Sequence, residues 1–421
     1  MLIENLSFPM DRRMYQQALA LQDSGYQVAV ICPKGQNTDR DPFEVVDDIG
    51  VYRYEQHVEA NSGLGYLLEY SWAMLCTFFL MWRCLIKNGF DIVHVANPPD
   101  LFFAIAAPFK LLGKKFVYDQ HDLCPEIYEA KFNRRDFLYT VLLWLERLSY
   151  RMADLVISPN LSYRDIALTR GNVPSEKIEV VRSAPDLHRF HHVEPQPQLK
   201  RGASYLVAYL GVMGRQDGVD RALHAASHLI KTLGRRDVRF VFIGNGECWN
   251  ELQRLAAELE LTQSVEFTGR IPDSEVLAYL STADICVAPD PPSRLNDLST
   301  MNKILEYMAC RKPIVSFDLT EARRSAAGAA LFVKKDDPAS FAGAILRLLN
   351  DGELRARMGE VGFERIAGQL SWDHSKANLV EAYRGISRQA FNTDVPVSAR
   401  RVGRRSQKPE NPSTAETQIN P

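Results

Sequence analysis

The sequence predicts two doubly wound α/β domains that face each other across a cleft. At 421 residues the chain is too long for one ordinary hydrophobic core. Short β-branched runs alternate with helical patterns along most of its length, which is typical of parallel strands joined by helices. The alternation stops in a stretch rich in Pro, His and charge, and then resumes. We therefore expect an N-terminal domain over residues 1–185, a linker over 186–203 and a C-terminal domain over 204–370.

The strands are expected where the sequence is almost continuously apolar, because a parallel sheet covered on both faces buries both sides of its strands. In chain order these runs are YQVAVIC, DIVHVA, KFVYDQ, ADLVIS and IEVVRS, then YLVAYLG, VRFVFIG, VEFTG, ICVAP and PIVSF. Helical patterns separate them, starting with a helix over about 12–24. Open α/β sheets bind ligands at the carboxyl ends of their strands, so the cleft between the two domains is the expected site.

Two further segments have a distinctive composition. The most apolar one, YSWAMLCTFFLMW, offers thirteen residues from Tyr70 to Trp82, whereas a membrane span needs about 20. We expect a helix there, either in the core or partly exposed at a membrane surface. Residues 392–421 contain almost no apolar side chains and are expected to be a disordered tail whose arginines touch anionic lipid.

Charge and cysteine usage narrow the class of protein. The chain has 50 Lys+Arg against 52 Asp+Glu, so no overall field recruits nucleic acid, and we expect no nucleic-acid partner. The cysteines are scattered without a C-x-x-C pair, which suits a reducing cytosol. The segment MLIENLSFPMDRR is too polar for the apolar part of a signal peptide. A cytoplasmic location is therefore predicted.

The stretch DLSTMNKILEYMACRKPIVSF carries an amphipathic helix. Met301, Ile304, Leu305 and Met308 repeat at helical spacing and are expected to pack on the sheet. Ser299 or Thr300 is expected to cap the helix, leaving other first-turn N–H groups for an anion. Lys303 and Glu306 fall on the opposite face. Either they form a solvated ion pair worth roughly 0.2–0.5 kcal/mol, or they belong to a binding site.

Glycine-rich turns follow two predicted strands of the C-terminal domain. YLGVMGRQDGVD places Gly211, Gly214 and Gly218 around Arg215, and VFIGNGE repeats the arrangement. Each turn alone is weak evidence, because glycine also serves tight turns for steric reasons. Together with the helix just described, they predict an anion-binding edge on this sheet.

As a set, ENLSFPMDRR, YDQHDLCPEIY, LGVMGRQDGVD, FTGRIP and STMNKILEYMACRKPIVSFD resemble motifs of the retaining, nucleotide-sugar-dependent glycosyltransferases of family 4. The resemblance covers about residues 1–390 and is nearest the bacterial branch that builds exopolysaccharide, capsule or O-antigen. It implies the GT-B fold, with two Rossmann-like domains across a cleft. It also implies that the segment 371–391 packs back toward the N-terminal domain.

The resemblance implies how the C-terminal domain binds the donor. Glu306 matches the second glutamate of the E-x7-E motif, which accepts hydrogen bonds from the ribose hydroxyls. Gly214 and Arg215 match the Gly-Arg motif that contacts the diphosphate. The backbone at Arg270 and Ile271 corresponds to the base-binding loop. Residues 299–301, that is Ser299, Thr300 and Met301, open the helix whose N-terminus faces phosphate.

Two positions depart from the family pattern. The first motif glutamate is replaced by Leu298, so the neighbouring Asp297 or a backbone N–H is expected to substitute for it. The usual phosphate-binding lysine is missing from the turn, where Asp217 stands instead. We hypothesise that Lys303 supplies that positive charge from the helix.

In the N-terminal domain, His121 follows a predicted strand, where the family places a histidine over the donor sugar; the alternative is a structural histidine. Asp11, Arg12 and Arg13 occupy the loop that contacts acceptor or phosphate in the family. The alternative for this loop is a helix start with Asp11 as its cap. Glu126 is expected to cap the following helix, or else to orient the acceptor.

The resemblance implies retaining transfer of a sugar from a UDP- or GDP-sugar to a polyprenyl-linked saccharide at the cytoplasmic membrane surface. No metal and no cofactor are expected, because DQHD is not a D-x-D motif and the leaving diphosphate is stabilised by Arg215, Lys303 and the helix N-terminus. Closure of the two domains is expected to exclude water. The alternative is a catalytically silent module that only binds a nucleotide sugar or acts as a scaffold.

Overall fold

The computed structural model describes residues 1–35, 41–56 and 63–391. It contains two sheets covered by helices, of which one is parallel throughout and the other is parallel except for β2, and it confirms the predicted α/β class with two Rossmann-like domains. The predicted tail, residues 392–421, lies outside the described residues. The strands of the N-terminal domain are β1 (Ala29–Pro33), β2 (Phe43–Val46), β3 (Ile49–Tyr54), β4 (Ile92–Ala96), β5 (Lys115–Asp119), β6 (Leu155–Ser158) and β7 (Ile178–Val180). Its helices are α1 (Arg12–Asp23), α2 (Gly63–Lys87), α3 (Phe102–Leu111), α4 (Cys124–Phe132), α5 (Phe137–Met152) and α6 (Leu161–Thr169).

The N-terminal sheet is organised around the start of the chain. Leu2 bridges Ile31 of β1 and Val95 of β4, so residues 1–3 lie between these two strands. On one side β1 continues to β3, and on the other β4 continues through β5 and β6 to β7, all in parallel. The strand order reverses at the chain start, which places the binding crevice of this domain at the adjoining strand ends.

The C-terminal sheet has the strand order β10-β9-β8-β11-β12-β13 and is parallel throughout. Its order reverses between β8 and β11, so the loops after these two strands border its crevice. The strands are β8 (Tyr205–Leu210), β9 (Val238–Ile243), β10 (Val265–Gly269), β11 (Ile285–Ala288), β12 (Ile314–Phe317) and β13 (Ala330–Val333). The helices are α7 (Val219–Ser227), α8 (Trp249–Glu258), α9 (Asp273–Thr282), α10 (Arg294–Leu298), α11 (Asn302–Ala309), α12 (Thr320–Ala326), α13 (Pro338–Asn350), α14 (Gly352–Arg365) and α15 (Trp372–Phe391).

Three strands are absent from the sequence prediction. β2 and β3 form a hairpin whose turn holds Asp47 and Asp48 at φ 50° and 61°. Two aspartates with positive φ are typical of a turn. The run before them is short and partly charged, so it lacks the apolar pattern from which the other strands were predicted. β13 is short as well, and its burial against β12 only becomes visible once the strands pair.

Helix α2 is buried on one side and exposed on the other. Ala73, Met81 and Cys84 are buried in the core of the N-terminal domain, whereas Phe79 and Ile86 are exposed on the other side. It spans 25 residues, well beyond the predicted apolar segment. In the described part of the chain, no helix is both long enough and apolar enough to cross a membrane.

The last helix, α15, follows the C-terminal domain in sequence but packs on the N-terminal domain. Its residues Trp372, Leu379 and Tyr383 share one hydrophobic core with Val117 of β5 and Ile157 of β6. The helix therefore ties the end of the chain to the strands that carry the N-terminal side of the cleft.

Candidate active site

Three strand-end loops of the C-terminal sheet touch through their backbones. A Cβ atom at Gly244 would lie 1.9 Å from the carbonyl oxygen of Gly211, and one at Gly246 would lie 2.5 Å from that of Met213. The Gly244 N–H donates to the carbonyl of Gly269 over 3.0 Å. Side chains cannot fit at these contacts, so glycine is required for the loops after β8, β9 and β10 to meet at one edge.

The loop after β8 presents a cation to solvent. The Gly214 N–H donates to Asp217 Oδ2 over 3.0 Å, which closes the turn. The Arg215 side chain is 78% exposed, and its Nη2 lies 3.6 Å from Glu251 Oε2. Because this ion pair is exposed, it holds Arg215 only weakly. Arg270, directly after β10, is also exposed, while Ile271 packs partly against the core.

Helix α11 has the predicted apolar stripe, but the predicted cap is wrong. Ile304, Leu305 and Met308 are buried, and Met301 packs partly against the same core. The helix begins at Asn302, with Met301 at the cap position and no side-chain cap bond. The hydroxyl of Ser299 donates to the Leu295 carbonyl over 2.7 Å. Within the described residues, no side chain therefore caps the first-turn N–H groups of α11.

Lys303 lies in the core and not on a solvated face, which corrects the placement predicted from sequence. Its Nζ is 2.8 Å from Asp290 Oδ1, 3.7 Å from Asp217 Oδ1 and 3.4 Å from the Tyr209 hydroxyl. Burial alone would lower the pKa of Lys303, but the carboxylates of Asp290 and Asp217, together with the Tyr209 hydroxyl, outweigh it and raise the pKa. Two carboxylates thus compensate this cation, so Lys303 does not add a net positive charge to the turn.

Glu306 lies one turn further along α11, and its environment differs from that of Lys303. It is half-buried, and among the described residues its carboxylate has no hydrogen-bond or ion-pair partner. Burial raises the pKa of Glu306 to about 6, against the opposing charges of Arg12 and Arg189. Arg12 belongs to the N-terminal domain and Arg189 to the linker. The carboxylate therefore lies where the two domains meet and keeps its acceptor capacity.

The position of the missing motif glutamate is occupied by interdomain contacts. Asn160, which caps α6, donates to the Leu298 carbonyl over 2.9 Å and to the Thr300 hydroxyl over 3.0 Å. Thr300 is thereby tied to the N-terminal domain and does not cap α11. The Asp297 carboxylate accepts from the Thr320 N–H over 2.7 Å and from its hydroxyl over 2.9 Å. Asp297 is thus committed to the start of α12, which argues against its expected role as the substitute.

His121 is held by its backbone and by its ring. Its N–H donates to Asn97 Oδ1 over 2.6 Å, and its Nε2 lies 3.0 Å from Asp119 Oδ2. The side chain is 17% exposed. The buried Tyr163 of α6 lies beside both Asp122 and Ser299. The histidine loop is therefore close to the segment that precedes α11 in the other domain.

The three charged residues at the start of α1 have separate positions. Asp11 caps the helix by accepting from the Met14 N–H over 3.0 Å, which is the second of its two predicted alternatives. Arg12 lies 3.5 Å from Asp273 across the cleft. Arg13 is buried and donates to Asp119 Oδ1 over 2.6 Å. Only Arg12 of these three remains well exposed toward the other domain.

Glu126 does not cap α4, so that prediction is wrong. Leu123 is at the cap position without a side-chain bond, and the buried Glu126 carboxylate pairs with Arg170 over 2.6 Å. Arg294 of the C-terminal domain reaches the same carboxylate over 3.2 Å. Glu126 therefore connects the two domains. Sequence reasoning also missed Asn97 and Asn160, for which the sequence shows no motif.

Two doubly wound domains whose strand-end loops face one cleft define the GT-B class. A family model described as Glycosyltransferase Family 4 matches residues 10–189, and one described as Glycosyl transferases group 1 matches residues 204–351. The two matches fall on the two domains just described. The chain therefore belongs to the glycosyltransferases of the family 4 type.

Individual relatives agree with this assignment. The chain is 28% identical over 251 residues to Alpha-D-kanosaminyltransferase of Streptomyces kanamyceticus, a match that covers 58% of the chain and 63% of the relative. It therefore matches less than two thirds of that relative's length. Its fold resembles that of sucrose-phosphate synthase from Thermosynechococcus elongatus, with a TM-score of 0.73, 18% identity and coverage of 92% and 95%. It also resembles Anabaena HepE in complex with UDP, with a TM-score of 0.65, 14% identity and coverage of 91% and 99%.

Proposed function

We propose that the chain transfers a sugar from a nucleoside-diphosphate sugar to a lipid-linked saccharide, with retention of anomeric configuration, in the assembly of a bacterial surface polysaccharide. The observation that carries the proposal is the half-buried carboxylate of Glu306, which has no partner in the described part of the chain and lies on the same edge as the exposed Arg215. A carboxylate only accepts hydrogen bonds, so it suits the two neighbouring hydroxyls of a ribose. The bound UDP of the HepE structure supports a uridine donor.

In the proposed reaction no side chain attacks the sugar. The bond between the anomeric carbon and the diphosphate oxygen breaks while the acceptor hydroxyl bonds to the same face of that carbon. Negative charge develops on the leaving diphosphate, and in this proposal the exposed Arg215 and the uncapped first-turn N–H groups of α11 stabilise it. His121 lies over the sugar, and the departing phosphate oxygen takes the acceptor proton. Lys303 contributes by holding Asp217 and the glycine-rich turn in place.

The function is tested by incubating the full chain with a panel of UDP-, GDP- and ADP-sugars and following thermal stabilisation, then release of nucleoside diphosphate with a polyprenyl-diphosphate saccharide. A bound donor raises the unfolding midpoint by mass action. We expect stabilisation by a uridine donor and diphosphate release that depends on the acceptor. Stabilisation without release for any acceptor supports the silent alternative, which the loss of the first motif glutamate at Leu298 favours. No stabilisation by any donor contradicts both.

Glu306 provides the first mutational prediction. Glu306→Ala is expected to weaken UDP binding by about 1.5–3 kcal/mol, because hydrogen bonds to a charged acceptor are lost. Since the pKa of Glu306 is about 6, the carboxylate is charged above that pH and protonated below it. Wild-type affinity is therefore expected to fall as the pH drops below 6, approaching about tenfold per pH unit. Calorimetric titration with UDP between pH 5 and 8 measures both effects.

Glu306→Gln is the matched control, because it keeps the shape but does not titrate. Its affinity should lie between those of wild type and Glu306→Ala and should lose the dependence on pH below 6. If Glu306→Ala binds UDP as tightly as wild type, Glu306 does not contact the nucleotide.

The lipid-linked acceptor is supported by a surface of the N-terminal domain that we call the apolar helix face. It consists of exposed side chains on α2, α3 and α5, three helices that lie side by side. Phe79, Ile86, Leu111 and Phe137 are 67%, 83%, 90% and 79% exposed. By contrast, the exposed large apolar side chains in the described part of the C-terminal domain are Val212, Leu233 and Val361.

Exposed cations accompany the apolar helix face. Arg83 and Lys87 on α2 and Arg147 and Arg151 on α5 are all exposed. Apolar side chains bordered by arginine and lysine suit the interface of an anionic bilayer, where the apolar groups insert and the cations meet lipid phosphates. We therefore propose that this face docks on the cytoplasmic membrane surface, which brings the cleft to an acceptor held in the bilayer.

The docking proposal predicts that Phe79→Glu/Ile86→Glu weakens binding to vesicles with anionic phospholipid by at least about tenfold. Two inserted apolar side chains are lost and two repelled charges are added. Sedimentation with vesicles at low and high salt measures the loss. Val361→Glu, a similar change on the C-terminal domain, is the control and should bind like wild type. Equal binding of all three proteins would contradict a role for the apolar helix face.

A further inference from the structure

The buried carboxylate of Asp119, at the end of β5, collects polar side chains from several elements. It is fully buried. Gln17 Nε2 donates to its Oδ2 over 2.6 Å, and His121 Nε2 lies 3.0 Å from the same oxygen. Arg13 binds both carboxylate oxygens, at 3.3 Å and 2.6 Å. Although burial alone would raise the pKa of Asp119, Arg13 and His121 hold it well below its usual range. Asp119 is therefore a charged anchor beneath the histidine of the cleft.

A second histidine connects this anchor to the last helix. His94 of β4 is buried, with its Nε2 3.4 Å from Asp119 Oδ2 and its Nδ1 2.5 Å from the hydroxyl of Tyr383. The His94 and Tyr383 rings also stack at 6.0 Å between centroids. Tyr383 belongs to α15, which reaches this position only by crossing back from the C-terminal domain. Polar contacts thus lead from α15 through His94 and Asp119 to His121, and the 3.4 Å approach of His94 Nε2 to Asp119 is the one step without hydrogen-bond geometry.

Hydrogen-bond chemistry orients this chain. Burial lowers the pKa of His94, which favours the neutral ring with one N–H donor and one acceptor nitrogen. The charged Asp119 faces Nε2 and favours the ring proton there, which leaves Nδ1 to accept a hydrogen bond from the Tyr383 hydroxyl. Without that hydroxyl the ring can place its proton on Nδ1 and present a lone pair to the carboxylate. Tyr383 therefore influences whether His94 presents an N–H or a lone pair to the Asp119 carboxylate.

We propose that Tyr383, His94 and Asp119 are positioning residues for His121, so that the C-terminal helix fixes the ring orientation and the protonated nitrogen of the histidine that faces the donor sugar. The proposal rests on the proposed function, in which His121 contacts that sugar. The His121 N–H already donates to the side-chain oxygen of Asn97. The main chain is therefore held, and the contacts through Asp119 act on the ring. Docking of α15 is thereby coupled to the N-terminal side of the active site.

The test compares Tyr383→Phe with Tyr26→Phe. Tyr383→Phe removes only the hydroxyl that contacts His94. Tyr26 packs edge-on against Tyr383, with 5.5 Å between ring centroids, and its hydroxyl lies 3.3 Å from Ser387 Oγ. Tyr26→Phe therefore deletes a hydroxyl at the same interface of α15 without touching the polar chain. Both variants keep their aromatic packing, so both are expected to fold.

We expect Tyr383→Phe to lower kcat for sugar transfer roughly ten- to hundredfold, since small misplacements of a positioned group are costly. The Kd for UDP should stay at the wild-type value, and the unfolding midpoint should fall only by the small amount expected for the loss of one buried hydrogen bond. A purely structural role of Tyr383 does not predict a large loss of kcat with unchanged Kd. Tyr26→Phe should match wild type in all three. Equal kcat for the two variants would overturn the proposal.

Nitrogen NMR of histidine-labelled protein gives a second readout that does not need turnover. In wild type, His94 is expected to carry its proton on Nε2. In Tyr383→Phe the chemical shifts of the His94 and His121 ring nitrogens should change. In Tyr26→Phe they should stay as in wild type. If the wild-type chain transfers no sugar from any donor, the proposed function fails. The NMR comparison still tests whether Tyr383 acts on the His121 ring, because it does not depend on turnover. Unchanged His121 nitrogens in Tyr383→Phe would overturn the positioning proposal.

Discussion

A chain that ends at Leu370 is expected to lose the folded N-terminal domain, although every residue of that domain remains present. The missing helix α15 buries Trp372, Leu379, Tyr383 and Ile386 in a core that it shares with α1, β5 and β6. Burial of such side chains contributes about 1.5–3 kcal/mol each, so the loss is roughly 6–12 kcal/mol. That is comparable to the whole stability of a typical domain, about 5–15 kcal/mol.

Polar contacts of α15 add to this expectation. Ser375 Oγ accepts from the Arg182 N–H over 3.1 Å, and Lys376 pairs with Asp23 over 2.8 Å. Denaturant unfolding and limited proteolysis of the 1–370 chain measure the effect. The control is a chain that ends at residue 391, which retains all of α15 and should unfold like the full chain. An unfolding midpoint of the 1–370 chain equal to that of the control would show that α15 does not support the N-terminal domain.

Replacing Lys303 by alanine is expected to destabilise the C-terminal domain by roughly 3–5 kcal/mol, because removing one partner of a buried ion pair leaves an uncompensated charge. Asp290 is 2% exposed and lies 2.8 Å from Nζ, and Asp217 lies 3.7 Å away on the other side. Denaturant unfolding measures the loss. If Lys303→Ala is as stable as wild type, the contacts of Lys303 with Asp217 and Asp290 do not stabilise the domain.

A double variant separates the structural effect of Lys303 from an effect on catalysis. Lys303→Met/Asp290→Asn removes one charge of each sign at similar volume, so much of the lost stability should return. If Lys303 also stabilises the leaving diphosphate, turnover of the refolded double variant should remain roughly 10²–10³-fold low. Recovery of turnover together with stability would limit Lys303 to holding the glycine-rich turn. Asp290→Asn alone is the control for the loss of the carboxylate.

Helix α11 shows how far sequence reasoning reached in the site. Its apolar stripe is a local property of spacing, so Ile304, Leu305 and Met308 were predicted correctly as core residues. The burial of Lys303 was not predicted, because its partners Asp217 and Asp290 follow β8 and β11, and these strands become neighbours only in the folded sheet. The caps failed for a similar reason. Asn160, distant in sequence, binds Thr300 and competes with the local role that the sequence suggested.

By itself the sequence determined the two α/β domains, most of their strands, and the glycine-rich loops at the edge of the C-terminal sheet. These features depend on local periodicity and on backbone sterics, which residues close in the chain decide. The tertiary structure alone decided which charged side chains are free and which are paired. Among the described residues it left the Glu306 carboxylate without a partner, whereas it compensated Lys303 and connected α15 to His121. Such pairings depend on the distances between groups far apart in the chain and on their burial, and only the folded sheet sets these.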